Sequence, residues 1–184
     1  MKQIMVKDLM VPLSEYATIG EGATLYEAVL ALEKAQADYS RRLCPHRALV
    51  VLNDEGRVVG RLSQWDVFRA LEPKYLAMGD QSSLSRAGFS PQFLRDLMEQ
   101  FALWDKPLAD ICNRAAGTKV KDFMYTPSAG EYIEAAATLD QALHIFVMGH
   151  HHSLLVTSAG RIVGILMLPD VFKVVCERMK ACEV

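Results

Sequence analysis

The stretch Val6–Met10 (VKDLM) occurs again 114 residues later as Val120–Met124 (VKDFM). Three further blocks recur in the same order: Ala23–Leu25 as Ala137–Leu139, Arg57–Gly60 as Arg161–Gly164, and Asp66–Phe68 as Asp170–Phe172. An ordered set of repeated blocks indicates an internal duplication. The chain is therefore predicted to contain two copies of one small unit.

The distance between matching blocks falls from 114 residues to 104 along the chain. The first copy is therefore predicted to hold ten extra residues between its first helix and Gly60. We expect these residues near Ala35–Pro45.

Each copy is predicted to form a strand, a helix, a two-stranded hairpin and a final helix. The first helix is expected to begin at Thr24, because a threonine followed three residues later by Glu27 is typical of a capping box. Thr138 and Gln141 repeat this pattern in the second copy. The short apolar run Ala48–Leu52 predicts a strand that is buried on both faces.

An insert, Glu72–Thr118, separates the two copies. Its polar part, Gly79–Gly88, is predicted to be a loop, and Ser90 and Pro91 are typical of an N-cap and a first helical residue. Apolar residues then follow at helical spacing: Phe93, Leu94, Leu97, Met98, Phe101 and Trp104. We expect this insert stripe to pack onto the two copies, with a partner groove or a dimer contact as the alternative. Leu108–Ala115 is expected to form a further helix.

The composition is that of a globular protein, with 51% hydrophobic and 23% charged residues among 184. A net charge of −2 without a basic run argues against nucleic acid or an acidic membrane as partner. No apolar run has the length of a membrane span, and Met1–Asp8 lacks the apolar region of a signal peptide. Four widely spaced cysteines without a CxxC pair indicate reduced thiols rather than disulfides or zinc. These features predict a cytoplasmic protein.

The repeated blocks resemble the CBS domain, whose tandem pairs are known as Bateman modules. Each copy opens with V-K-D-[LF]-M and later has a [IV]-V-G-x-[LI]-x-x-x-D run before its last helix. The resemblance covers 5–72 and 119–180 and leaves the helical insert 73–118 unexplained. It implies an α/β (α+β) fold, in which two β-α-β-β-α units pack with pseudo-twofold symmetry.

The resemblance also implies two clefts between the units that can hold adenine nucleotides such as AMP, ADP, ATP or S-adenosylmethionine. The family motif G-x-x-[ST]-x-x-D is complete in the first copy, where Asp66 is expected to bind ribose hydroxyls and Ser63 to help hold a phosphate. The second copy keeps Asp170 but has Met167 in place of the hydroxyl, so the first cleft is expected to be the main site. On the residues alone, Ser63 and Asp66 are equally typical of a plain helix cap.

Further cleft residues are implied on the strand before the first helix and at the start of the next strand. In the first copy these are Tyr16, Ala17, Thr18, His46, Arg47 and Ala48, and in the second Tyr132, Ile133, Glu134, His151, His152 and Ser153. Arg47 is expected to neutralise a phosphate and Glu134 to repel one. The proline that the family usually has here is absent, since Leu49 and Leu154 take its place.

His144 and His150–His152 suggest a metal site at first sight. Adjacent strand residues point to opposite faces, and no carboxylate or cysteine completes a ligand set, so no metal site is predicted. No nucleophile or acid–base constellation is present in the sequence, which argues against an enzyme.

The sequence therefore predicts a regulatory sensor of AMP, ADP or ATP that needs no cofactor and signals to an effector protein of unknown identity. Homodimers are expected, with the last helix of each copy as the contact. The alternative is a ligand-free interaction scaffold in which the insert stripe makes the functional contact.

Overall fold

Each repeat folds in the β-α-β-β-α order that the sequence predicts. The structure, a computed structural model, describes residues 4–37, 48–77, 88–104 and 110–181. A short strand, β1 (Val11–Pro12), comes first. The first repeat then contains β2 (Thr18–Gly20), α1 (Leu25–Ala37), β3 (Ala48–Leu52), β4 (Val58–Ser63) and α2 (Gln64–Leu71). The insert contains α3 (Lys74–Ala77), α4 (Pro91–Gln100) and α5 (Ile111–Gly117). The second repeat contains β5 (Tyr132–Glu134), α6 (Leu139–Gly149), β6 (Ser153–Ser158), β7 (Arg161–Met167) and α7 (Leu168–Ala181).

The two sheets have the same pairing, so their registers show which residues are equivalent. β2 pairs in parallel with β3, which pairs antiparallel with β4, and β5, β6 and β7 repeat this arrangement. Equivalent residues lie 114 positions apart in β2 and β5, 105 apart in β3 and β6, and 104 apart in β4 and β7. Nine of the ten extra residues therefore precede β3, and the tenth lies in the hairpin turn. Most of Ala35–Pro45, where we expected them, falls outside the described residues.

The predicted capping boxes are present at the start of both first helices. The backbone N–H of Thr24 donates to Glu27 Oε2 at 2.7 Å, and the N–H of Glu27 donates to Thr24 Oγ1 at 3.2 Å. Thr138 and Gln141 make the same two bonds at 2.9 and 3.4 Å. Each box satisfies backbone donors that have no partner within the helix.

The segment that precedes each repeat packs on the other repeat. Ahead of the first repeat, Val6 donates its N–H to Ala137 O at 2.9 Å and is buried in the core of the second repeat. Ahead of the second repeat, Val120 donates to Ala23 O at 2.8 Å and is buried in the core of the first. We call 4–12 and 118–125 the exchanged segments. Neither repeat completes its core without the segment that belongs to the other.

Two glycines allow the exchanged segments to approach the hairpins. Val11 pairs with Ile165 beside Gly164, and a Cβ atom at Gly164 would lie 2.6 Å from the carbonyl oxygen of Val11. At Gly60, a Cβ atom would lie 3.0 Å from the carbonyl oxygen of Tyr125. Because both contacts are with backbone, a side chain could not be accommodated by a change of rotamer. This close approach explains why both copies have a glycine at the same motif position.

The apolar core has three parts. Under the helices of the first repeat lie residues that include Leu25, Ala28, Leu32, Leu49, Val51, Leu62 and Phe123. Their counterparts in the second repeat include Ile133, Leu139, Ala142, Phe146, Leu154, Val156 and Leu166. Between the two sheets lie Tyr16, Val50, Leu155, Ile165 and Met167. We call this third part the inter-sheet layer, and it joins the two units face to face.

The insert helix α4 begins as predicted. Ser90 is the N-cap, its Oγ accepts from the N–H of Phe93 at 3.1 Å, and Pro91 is the first helical residue. The next helix, α5, covers Ile111–Gly117, and the predicted start at Leu108 lies outside the described residues. The predicted loop Gly79–Gly88 also lies outside them, apart from its last residue.

The prediction that the insert stripe packs onto the repeats is wrong for α4. Exposed fractions of its apolar side chains are 44% for Phe93, 48% for Leu94, 47% for Met98 and 40% for Phe101. The insert is held instead by the turn after the helix. There the N–H of Trp104 donates to Glu72 Oε2 at 2.8 Å, and its indole N–H donates to the Tyr75 hydroxyl at 3.1 Å.

Across the described ranges, no helix has the length and apolar character that crossing a membrane requires.

We expect Gly164→Ala to destabilise the protein by about 1–3 kcal/mol, because the new methyl group meets the backbone of the docked exchanged segment. Gly130→Ala is the matched control, since a Cβ atom there has no neighbour within 4 Å. Urea unfolding of both variants measures the difference. Equal stability of the two variants would show that the close approach does not constrain this position.

Candidate functional site

The motif at the start of α2 forms a tight cap. Asp66 Oδ2 accepts from the N–H of Ser63 at 2.8 Å and from its hydroxyl at 2.6 Å. The other carboxylate oxygen, Oδ1, lies 4.0 Å from Arg69 Nη1. Asp66 is only 6% exposed, so the cap holds its carboxylate in a fixed position. Ser63 and Asp66 thus form a helix cap, as one of the two interpretations predicts. Their role in binding a ligand remains a prediction.

Three of the predicted residues of the first cleft lie together. Ala48 opens β3 and pairs directly with Ser63, which places both beside Asp66. Thr18 lies at the exposed start of β2, on the strand next to β3. Arg47, like His46, lies outside the described residues.

Tyr16 belongs to the inter-sheet layer. It is 8% exposed and packs in the same layer as Val50 and Met167. Burial raises the pKa of its hydroxyl to about 12, and the nearby charge of Arg61 partly opposes that rise. Tyr16 is therefore a neutral, structural residue at physiological pH.

The corresponding positions of the second repeat are arranged in the same way with different chemistry. Ser153 pairs with Met167 as Ala48 pairs with Ser63. Met167 is buried and offers no hydroxyl, whereas Asp170 is partly exposed in the first turn of α7. No hydrogen bond or ion pair joins the Asp170 side chain to another described residue. His152 lies exposed in the turn before β6, one residue ahead of Ser153.

The predicted equivalence of the strands before the first helices is wrong by two residues. The registers align Thr18 with Tyr132, so Tyr16 and Ala17 correspond to Gly130 and Glu131. The tyrosines present in both copies led to the incorrect match. Ile133 also differs from expectation, because it is 5% exposed and packs in the core beneath α6.

Glu131 is the functional candidate that sequence reasoning missed. It is 1% exposed, yet its carboxylate bonds to three polar neighbours, Tyr125, Ser128 and Arg61. Its Oε1 accepts from the Tyr125 hydroxyl at 2.5 Å and from the N–H and hydroxyl of Ser128 at 2.9 and 3.1 Å. Its Oε2 forms an ion pair with Arg61 of the first repeat. The S-x-x-E spacing of Ser128 and Glu131 is the one local signal for this arrangement.

Arg61 connects this network to two parts of the second repeat. Besides the ion pair, Nη1 donates to Ser153 Oγ at 3.2 Å, and the guanidinium carbon lies 4.8 Å from the centroid of the Tyr125 ring. That distance is within the range of a cation–π interaction. Its backbone N–H and carbonyl also bond to the carbonyl and N–H of Tyr125, at 3.0 and 2.9 Å. One residue thus holds the second exchanged segment by both main chain and side chain.

The network keeps Glu131 ionised. Burial raises the pKa of its carboxyl, but the bonds from Tyr125 and Ser128 and the charge of Arg61 together outweigh burial and lower the pKa below 4.5. The Tyr125 pKa moves upward, through burial and through its bond to Glu131.

Comparison with known proteins gives the class. The sequence matches the CBS domain family over residues 2–73 and 120–177, which is most of the chain. The chain therefore belongs to the CBS domain family, and it contains two such domains. CBS-domain pairs are generally regulatory and nucleotide-binding.

Solved structures with the same fold include several CBS-domain proteins. CBSX2 in complex with AMP is 16% identical, with 95% of this chain and 98% of that chain covered and a TM-score of 0.58. A CBS-domain protein of unknown function from Bacillus anthracis is 19% identical, with 96% and 95% covered and a TM-score of 0.63. A conserved protein from Geobacillus kaustophilus is 17% identical, with 96% and 99% covered and a TM-score of 0.61. At these identities the likeness establishes the fold. A search of curated proteins gives no match.

Of the histidines considered as metal ligands, His144 lies on α6, and His150–His152 lie between α6 and β6. His150 follows α6 in a left-handed conformation with φ of 51°, and His151 lies against Gly149. In the part of the chain that the structure describes, no three His, Cys, Asp or Glu side chains are grouped as metal ligands.

We expect Glu131→Gln to destabilise the protein by about 2 kcal/mol at neutral pH, because Arg61 loses its buried partner. The lowered pKa of Glu131 means that its ionised form stabilises the fold above pH 4.5, and that this stabilisation is lost as the pH falls through the lower, folded-state value. The difference between variant and wild type should therefore shrink as the pH is lowered from neutral to below 4.5.

Urea unfolding across that pH range measures the effect. Glu55→Gln is the control, because Glu55 pairs with Arg57 at an exposed position, and it should change stability by less than about 0.5 kcal/mol. A pH-independent difference for Glu131→Gln would show that the carboxylate charge is not what stabilises the network.

Proposed function

We propose that this chain is a regulatory module that binds an adenine nucleotide in its first cleft and signals the bound state to a partner protein in the cytoplasm. The observation that carries the proposal is the complete motif at the start of α2. It presents a hydroxyl and a buried carboxylate, Ser63 and Asp66, next to Ala48 on the neighbouring strand. The AMP complex of CBSX2, a protein of the same fold, supports an adenine nucleotide as the ligand.

The chemistry of the cap suits this role. A carboxylate accepts strong hydrogen bonds from a ribose diol, and the cap holds Asp66 ready to do so. The N–H groups at the start of α2 and the Ser63 hydroxyl suit a phosphate. Ala48 is small and leaves room for a base or a sugar beside these groups.

Ligand binding at this position can regulate a partner through linkage. A nucleotide shifts an equilibrium between arrangements only by its difference in affinity for them. α2 carries Asp66 at its start, and its C-terminal end adjoins Glu72, which anchors the insert. We propose that the insert and the outer faces of the last helices transmit the change. In this role the protein needs no cofactor and catalyses no reaction.

We expect Asp66→Asn to weaken AMP binding at least about tenfold, since it removes a charged acceptor worth roughly 1.4 kcal/mol or more. Asp170→Asn is the matched control in the second repeat and should leave the affinity unchanged. Calorimetric titration with AMP, ADP and ATP measures both. No binding heat with any of the three nucleotides would refute the proposed function, and an equal loss in both variants would refute the site.

We further propose that the chain forms homodimers through the outer faces of α2 and α7. Large apolar side chains are exposed there: Trp65 at 77%, Phe68 at 55%, Phe172 at 65% and Met179 at 68%. Phe68 and Phe172 are equivalent residues of the two repeats, so the two helices present similar surfaces.

The exposed insert stripe on α4 favours a second candidate function, a scaffold that binds its partner through the insert. Sedimentation equilibrium distinguishes the two surfaces. We expect Phe172→Glu to shift a dimer towards monomer and Phe93→Glu to leave it intact. The opposite pattern would assign the contact to the insert, and a wild-type monomer at all concentrations would exclude the dimer.

A further inference from the structure

The two clefts of this chain are not equivalent. The registers define the second cleft by four positions, Glu131, Ser153, Met167 and Asp170. Their counterparts in the first cleft are Ala17, Ala48, Ser63 and Asp66. The residues of the two clefts thus differ in polarity at three of the four positions, and only the aspartate is shared.

Arg61 enters the second cleft from the other repeat. Its guanidinium bonds to two of the four side chains that define the cleft, Glu131 and Ser153. Its counterpart in the second repeat is Ile165, which belongs to the apolar inter-sheet layer. The first cleft therefore has an aliphatic side chain, Ile165, at the position where the second has the cation of Arg61. It also has alanines at the positions of Glu131 and Ser153, the polar partners of Arg61.

We infer that the Arg61–Glu131 ion pair fills the second cleft and closes it to adenine nucleotides, so that one chain binds one nucleotide. The nature of the ligand rests on the proposed function. The ion pair is an internal occupant, because Glu131 and Ser153, two of the side chains that define the cleft, already bond to Arg61.

Displacing Arg61 would be costly. Glu131 is 1% exposed, and moving the guanidinium away would leave a buried carboxylate without its cation. A nucleotide phosphate would bring negative charge towards Glu131 and towards the partly exposed Asp170, and Met167 offers it no hydroxyl. The cost of leaving Glu131 without its cation and the repulsion of a phosphate therefore both oppose a second nucleotide.

The first cleft supplies the design of the test. Replacing three of the differing residues by their first-cleft counterparts gives Arg61→Ile, Glu131→Ala and Met167→Ser, with Ser153 kept. The triple variant removes both charges of the ion pair together, and the Tyr125 hydroxyl, on a side chain that is partly exposed, can bond to water instead. Equilibrium dialysis and calorimetry with AMP then give the number of sites per chain.

We expect one AMP per wild-type chain, removed by Asp66→Asn and unaffected by Asp170→Asn. The triple variant should bind two, and adding Asp170→Asn should return it to one. Wild-type protein that binds two AMP per chain would overturn the inference while leaving the proposed function intact. A folded triple variant with wild-type stoichiometry would overturn it as well.

A further outcome would distinguish the proposed function from the closure of the second cleft by the ion pair. If wild type binds no AMP and the triple variant binds one that Asp170→Asn removes, the proposed function is wrong and the inference holds. If the triple variant does not fold, as judged by circular dichroism and thermal unfolding, the wild-type stoichiometry and its response to the two Asp substitutions still decide the question.

Discussion

The structure depends on the contact between each repeat and the segment that precedes the other repeat. Two backbone hydrogen bonds make this contact at the start of the first helices. The first helical N–H of α1, on Leu25, donates to the carbonyl of Thr118 at 2.8 Å, and that of α6, on Leu139, donates to Ile4 at 3.0 Å. Each repeat therefore begins its first helix against a segment that precedes the other repeat. The glycines of the two hairpins let those segments lie close, and the buried valines within them fill the opposite cores. The pair of repeats, and not the single repeat, is the unit that buries a complete core.

The two repeats have the same backbone arrangement, but the side chains at equivalent positions differ in chemistry. The inter-sheet layer is apolar around Ile165, while at the equivalent position Arg61 binds Glu131 and Ser153. Breaking a buried ion pair by removing one partner costs more than replacing both partners by apolar groups, so Arg61 and Glu131 stabilise the fold as a pair. The same asymmetry separates Ser63, which caps α2, from Met167 at the start of α7. A duplicated fold thus provides two cleft positions that differ in polarity and charge.

Local rules predicted the elements well. The capping boxes at Thr24 and Thr138, the hairpins and the start of α4 at Ser90 all follow from residues within four positions of one another. The site was predictable only where its residues are local, as with Ser63 and Asp66. Glu131 and Arg61 are 70 residues apart, so no pattern links them before the chain is folded. The insert stripe misled for a related reason, because helical spacing shows that a face is apolar but not what covers it.

The exchanged segments also determine when the protein can fold during its synthesis. Residues 4–12 are synthesised before either repeat, but the core that they fill is not complete until β7 and α7 have been synthesised. The first repeat in turn must wait for Val120 and Phe123, which follow the whole insert. Contacts between such distant parts of a sequence slow folding and leave apolar surface exposed in the meantime. The nascent chain therefore has a long interval in which its apolar segments are open to chaperones, and both cores are complete only once α7 has been synthesised.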